Sequence, residues 1–439
     1  MHKFGTDGIR SKAEDFTPDF LAKIIRGLVN YGGENIKIFL AGDTRESTEW
    51  ILQDLATACE TFGVEYGLAG VLPTPGINYC FYEMGFDFAI DVTASHNPYT
   101  DNGIKVLERG PSQGQKLTES GRKAIETSLA EDITYSPVAT SDREDLHAEA
   151  LDLYKEHLAS YIGTADFKGL HIGMDCANGA TSVVNSQIFE KFGAKIELIN
   201  CCKNYNTNIN KDCGSTHLDQ LKSLVTDQHL DFGVAFDGDG DRCLAIDDKG
   251  EEVDGDQMLA FLSQHLKLGA IVTTVMAGQG LLNWAKEANI HAEITAVGDP
   301  NVVAAMKAGN IQIGSEQNGH VILPGQTTGD GMLTALMITK AVSESAKPLS
   351  DLASIITKFP QVIVNMPATP EQKQSLKDKP ESKQLLLEYD DKLKSVSGRL
   401  LVRPSGTENL IRITMWGDDE NRISQLANDL KNDLTKCLT

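Results

Sequence analysis

Residues 237–242 read Asp-Gly-Asp-Gly-Asp-Arg, three carboxylates alternating with two glycines and followed at once by an arginine. The segment before them, 231–236, and the segment after them, 243–246, have the apolar character of buried strands. A tight loop between two strands therefore carries Asp237, Asp239 and Asp241 at the rim of a core. Like charges packed this closely repel unless something positive sits among them. A hard cation with oxygen ligands meets that need, and Mg²⁺ fits. The glycines let the backbone turn until the three side chains converge. A solvated acidic turn is the plainer alternative, but the flanking apolar runs argue against it. An EF-hand is a poorer match, because its twelfth position falls in the hairpin-like Asp247-Asp248-Lys249-Gly250.

At 439 residues the chain is too long for one ordinary core, so several domains are expected. A formal net charge of −22 argues against nucleic acid and against anionic membrane surfaces as partners. An anionic substrate would then need a locally basic site. The eight cysteines include no CxxC pair and several lie in apolar runs, which suits buried thiols in a reducing compartment. No signal-peptide core follows Met1, and no run of about eighteen apolar residues suggests a membrane span. The expectation is a cytoplasmic enzyme.

Strands alternate with helices along most of the chain, which argues an α/β fold with a mostly parallel, doubly wound sheet. The strand at 36–41 ends in Gly42-Asp43-Thr44-Arg45, and the strand at 86–92 runs straight into Thr93-Ala94-Ser95-His96-Asn97-Pro98. Chemistry gathers at such strand ends. Neighbours on an extended chain point oppositely, so His96 is not expected to deprotonate Ser95 directly. A phosphorylated Ser95 would instead offer three acceptor oxygens to a metal. Lys105 is a plausible neighbour, and a lysine crowded by cations can serve as a base. Arg10, in the glycine-flanked segment 4–10, is a candidate anion contact, an ordinary N-terminal turn being the alternative.

Residues 112–165 read as a polar, helical linker. A second α/β unit begins at 170, passes through an irregular asparagine-rich stretch at 201–217, and ends with the acidic loop and a hairpin. A third has strands at 270–275, 292–295 and 311–313. The last opens into Gly314-Ser315-Glu316-Gln317-Asn318-Gly319-His320. If that loop is extended, Glu316, Asn318 and His320 share a side and suit sugar hydroxyls. The last segment is a smaller α+β domain. In it Arg403, Ser405, Thr407 and Arg412, with the backbone freed by Gly406, make a compact phosphate cradle.

These loops, in this order, closely resemble the α-D-phosphohexomutase family along essentially the whole chain. Residues 93–98 are similar to its phosphoserine loop, 237–242 to its metal loop, 314–320 to its sugar loop and 403–408 to its phosphate loop. The resemblance implies three related mixed-sheet α/β domains (1–150, 151–252, 253–358) and a smaller C-terminal α+β domain (359–439) around one cleft. It implies one Mg²⁺ per chain, held by Asp237, Asp239, Asp241 and phosphorylated Ser95. Arg10, His96 and Lys105 match positions around the transferring phosphate, with Lys105 a candidate base, and Arg242 is placed with the substrate contacts. Segments 4–10, 208–217 and Glu316-Gln317 are similar to the amino-sugar branch of the family. That branch implies a phosphosugar substrate and a glucosamine 1,6-bisphosphate intermediate, and leaves a homodimer open. Asn318, Asn409, Pro300 and Trp416 depart from the family's usual residues.

Overall fold

The computed structural model describes residues 4, 5, 8–132, 135–138, 143–405 and 409–438. Its strands form four sheets, taken in chain order. In the first, Lys37–Gly42 lies between Glu65–Val71 and Phe88–Val92, parallel to both. Asp101–Arg109 then returns antiparallel against Phe88–Val92, and Ile9–Lys12 pairs antiparallel beyond it. The sheet is mixed because the loop after Val92 is too short for the helical crossover that a parallel neighbour requires.

The second sheet sets Phe232–Phe236 parallel to His171–Asp175 and antiparallel to Cys243–Ile246. All five residues of Phe232–Phe236 are buried, as its apolar run predicts. The third sheet pairs Ala270–Thr274 with His291–Thr295 and with the short strand Gly314–Ser315. The strand expected at 311–313 is displaced: Ile311 and Ile313 are buried, but the ladder begins only at Gly314. One apolar core, from Phe39 to Ile356, runs through all three units.

Segment 112–165 is no mere linker. Helix Glu119–Ala130 packs on helix Pro18–Gly32 so closely that a Cβ on Gly27 would stand 2.7 Å from Ile125 Cα. Helix His147–Ile162 buries Ala150, Tyr154, Leu158 and Ile162. These residues recur every fourth position, a narrow apolar stripe that an average over a polar segment conceals.

The fourth sheet is antiparallel throughout, with Leu410–Trp416 between Gln361–Pro367 and Arg399–Pro404. Helix Glu420–Leu438 covers it with Ile423, Leu426, Leu430 and Leu434, and this core is separate from the central one. Trp416 is fully buried under the Arg399 guanidinium, 4.0 Å from the ring centre. Pro300 sits in the first turn of helix Asp299–Gly309, where a missing N–H costs nothing. No described helix is long and apolar enough to cross a membrane.

Candidate active site

The buried strand Phe88–Val92 delivers the loop 93–98 to the site. Ser95 there has φ 54°, in the left-handed region that side chains other than glycine seldom adopt. Hydrogen bonds hold it. Its N–H donates to Thr93 Oγ1 at 2.9 Å, and its carbonyl accepts from Arg45 Nη2 at 2.8 Å and Asn210 Nδ2 at 2.9 Å. Arg45 is fully buried, paired with Asp43 at 2.9 Å, and also donates to the carbonyls of Asn97, Pro98 and Asp101. The bend carries Ser95 Oγ to 2.9 Å from Asp237 Oδ2, to which it donates, and to 3.3 Å from His96 Nδ1. The expectation that Ser95 and His96 point apart thus fails, because it assumed an extended chain.

Asp237, Asp239 and Asp241 are 1, 1 and 7 % exposed, so these carboxylates are no solvated turn. One oxygen or more from each lies within 4.8 Å of the others. Lys105 Nζ stands 2.6 Å from Asp239 and 3.6 Å from Asp241. Arg242 Nε lies 3.8 Å from Asp237 and 3.9 Å from Asp241. Burial, then Asp239 and Asp241, pushes the Asp237 carboxyl well above its ordinary range. Burial resists ionisation of Asp241 as well, but Lys105, His320 and Arg242 outweigh it and hold that carboxyl well below. Among the described residues, Asp239 Oδ1 and Asp241 Oδ1 are buried without a hydrogen-bond partner. An all-oxygen set with unpaired buried oxygens fits a hard divalent cation such as Mg²⁺.

Partial burial, then Arg242 and Arg10, lowers the His96 pKa to about 4. The ring is therefore neutral near pH 7, and its Nδ1 lies 3.2 Å from Arg242 Nη1, a donor. Arg10 comes from strand Ile9–Lys12, opposite Gly103.

The sugar loop is not extended. It is the turn of a hairpin, closed by the Glu316 N–H on the His320 carbonyl and the Gly319 N–H on the Glu316 carbonyl. Asn318 sits exposed in the turn, its Oδ1 accepting the His320 N–H at 3.3 Å. Glu316 Oε1 accepts the Gly298 N–H at 3.0 Å. His320 is buried 3.7 Å from Asp241. Burial opposes its ionisation, but Asp241, Asp299 and Glu316 raise its pKa to about 9. The Gly329 N–H, 3.0 Å from Nε2, makes the opposite demand, since it needs that nitrogen as an acceptor. Arg403 and Arg412 face each other across adjacent strands. The Ser405 N–H donates to Leu410 O at 2.9 Å. Gly406 and Thr407 lie outside the described residues.

Residues 1–136, 152–250 and 254–359 match phosphoglucomutase/phosphomannomutase alpha/beta/alpha domains I, II and III, and residues 367–432 match the C-terminal domain. The chain belongs to this family. The phosphoglucosamine mutase of Caldicellulosiruptor bescii is 39 % identical over 97 % of both chains. A family protein from Burkholderia thailandensis has the same fold, with TM-score 0.77 at 18 % identity over 99 % of this chain and 97 % of that one. So does Aspergillus fumigatus N-acetylphosphoglucosamine mutase, solved with GlcNAc-6P and magnesium, with TM-score 0.68 at 16 % identity over 100 % of this chain and 96 % of that one.

In this member of the phosphohexomutases, several supporting residues escaped the sequence reading. Asp91 is buried opposite Lys105 on the neighbouring strand and accepts from Thr74 Oγ1 at 2.6 Å. Thr74 Oγ1 also stands 3.3 Å from Asp239. Burial, opposed by Lys105, pushes the Asp91 carboxyl well above its ordinary range. Arg45 carried a usable signal, an Asp-x-Arg at the end of an apolar strand. Lys105, the candidate base of the sequence, is buried beside Asp239 and Asp241. A cleft beside Lys105 and Asp241 is also lined by Thr74, Asn78, Lys116 and Asp299.

Proposed function

We propose that this chain interconverts glucosamine 6-phosphate and glucosamine 1-phosphate, as an isomerase working through a phosphorylated Ser95. The observation that carries this reading is the buried Ser95 hydroxyl, 2.9 Å from an aspartate of an all-oxygen cluster, in a chain alike end to end with a phosphoglucosamine mutase. Phosphoserine 95 gives its phosphoryl group to the C1 oxygen of glucosamine 6-phosphate. The Oγ–P bond breaks as the C1 O–P bond forms, and the C1 hydroxyl loses its proton. The 1,6-bisphosphate turns over in the cleft. Its 6-phosphoryl group then returns to Ser95: the C6 O–P bond breaks as the Oγ–P bond re-forms, the serine hydroxyl gives up its proton, and the C6 oxygen takes one, leaving glucosamine 1-phosphate.

Such transfer depends on positioning and charge neutralisation more than on covalent chemistry. Asp237, Asp239, Asp241 and phosphorylated Ser95 would hold Mg²⁺, which when bound supplies positive charge to the transferring group. His96 stands beside Ser95 Oγ with Arg242 donating toward its Nδ1, and Lys105 is the candidate base for the C1 proton. Lys105 balances the carboxylates it touches. Arg10 and Arg242 face the reacting phosphate. Arg403, Ser405, Gly406, Thr407 and Arg412 hold the other phosphate, and Glu316 and His320 take sugar hydroxyls. The eight free cysteines suit the cytoplasm. A homodimer rests on the resemblance alone and is checked by light scattering.

The test is kcat/KM for glucosamine, glucose and mannose 1-phosphates, with glucosamine expected to lead by about tenfold or more. Mannose or glucose 1-phosphate in the lead would make the chain a phosphomannomutase/phosphoglucomutase. Steady release of free phosphate would make it a phosphatase.

A further inference from the structure

We infer that Asn210 is the positioning residue that sets Ser95 against the acidic loop, a role that rests on the mutase reading above. Asn210 comes from the asparagine-rich stretch of the second unit. Its main chain is fixed there, with φ 58° and its N–H donating to Ala177 O at 2.9 Å. Its side-chain amide crosses into the first unit. Nδ2 donates to Ser95 O at 2.9 Å and to Asn97 O at 3.2 Å, so the carbonyls flanking His96 are both held by one group. Asn210 is 9 % exposed, so these bonds are sheltered from water.

Arg45 donates to the same two carbonyls, but from within the first unit. The two donors therefore do different things. Arg45 fixes the loop 93–98 relative to its own sheet. Asn210 fixes it relative to the unit that carries Asp237, and of the two donors it is the one that ties Ser95 to that unit. The neighbouring stretch is docked in the same sense: the Asn206 N–H donates to Thr44 O at 2.7 Å and the Glu46 N–H to Asn206 O at 3.1 Å.

Gly238 shows how tightly the junction is packed. A Cβ there would stand 2.6 Å from Ser95 O and 2.7 Å from Asn210 Nδ2. Phosphoserine loop, acidic loop and Asn210 amide thus meet at one point, and glycine in the acidic loop is what admits the amide.

Phosphoryl transfer requires the donor oxygen, phosphorus and acceptor oxygen in line, and a shift of about 1 Å can cost roughly 100-fold in rate. The proposed phosphosugar contacts Glu316, His320, Arg403 and Arg412 lie on other sheets, so binding is not expected to follow the rate. The test uses the full chain as Asn210→Asp, which keeps the shape and loses the donor, and as Asn210→Ala. Arg45 is left intact, because its loss would strand the buried Asp43.

Each variant is incubated with glucosamine 1,6-bisphosphate and Ser95 phosphorylation is counted by intact mass. Then kcat, the calorimetric Kd for glucosamine 1-phosphate and Tm are measured. In both variants kcat is expected to fall about 100-fold with Kd within about twofold of the unaltered chain and Ser95 still phosphorylated. Unchanged kcat in either variant overturns the inference. So does a rate loss that tracks the loss of folded protein or of ligand binding. If the unaltered chain itself does not isomerise glucosamine phosphates, the mutase reading falls, and this one with it.

Discussion

Asp237, Asp239 and Asp241 are buried in the hairpin of the second sheet, with Lys105, Arg242 and His320 drawn from three different sheets or their loops to face them. Arg403 and Arg412 are half-buried on the fourth sheet, each facing the other, and burial followed by Arg412 lowers the Arg403 pKa. One region is a cluster of like charge already compensated from around it. The other keeps two cations abreast. The acidic site belongs to the core shared by three units, whereas the arginines sit on a domain with its own core. The difference separates an acidic cluster held inside a shared core from a pair of arginines displayed on the smaller domain.

Four substitutions test that contrast. Ser95→Ala removes the phosphoryl carrier, so isomerisation falls below detection while calorimetric binding of phosphosugar persists. Full activity in that variant would end the proposed mechanism. Asp239→Asn takes a charge from the acidic cluster and removes an anion 2.6 Å from Lys105 Nζ. Its kcat is expected to fall about 100- to 1,000-fold, with divalent metal content, read by mass spectrometry, falling in parallel. Normal metal content at normal rate would remove the cluster from the chemistry.

On the other side of the contrast, Arg412→Ala gives up charge-assisted hydrogen bonds to phosphate worth about 1.5–3 kcal/mol. It should therefore weaken phosphosugar binding by roughly 10- to 100-fold, with metal content unaltered. The smallest effect has the opposite sign. Arg403→Met relieves a directly opposed pair of like charges, so the ligand-free protein should gain a few tenths of a kcal/mol in urea denaturation. A loss of stability there would mean that the contacts Arg403 makes outweigh its repulsion from Arg412.

Periodicity and charge were enough to find the acidic hairpin, since an apolar strand on each side of Asp237–Arg242 leaves few other conformations. They also found the C-terminal sheet and its closing helix, whose apolar stripe is regular. They did not find helix His147–Ile162 in the core, because four apolar residues at four-residue intervals are outnumbered by the polar ones between them.

Which groups the proposed chemistry calls on was written in the linear order: a serine after a strand, three aspartates in a turn, two arginines near the end. Which of them touch was not. A single left-handed backbone at Ser95 brings its hydroxyl within reach of His96, against the alternation that an extended chain imposes. An amide from Asn210, 115 residues further along, holds that loop beside the acidic turn. Residue type limits the chemistry a side chain can do, but a hydrogen bond acts over about 3 Å, and only the folded chain brings such distant residues that close.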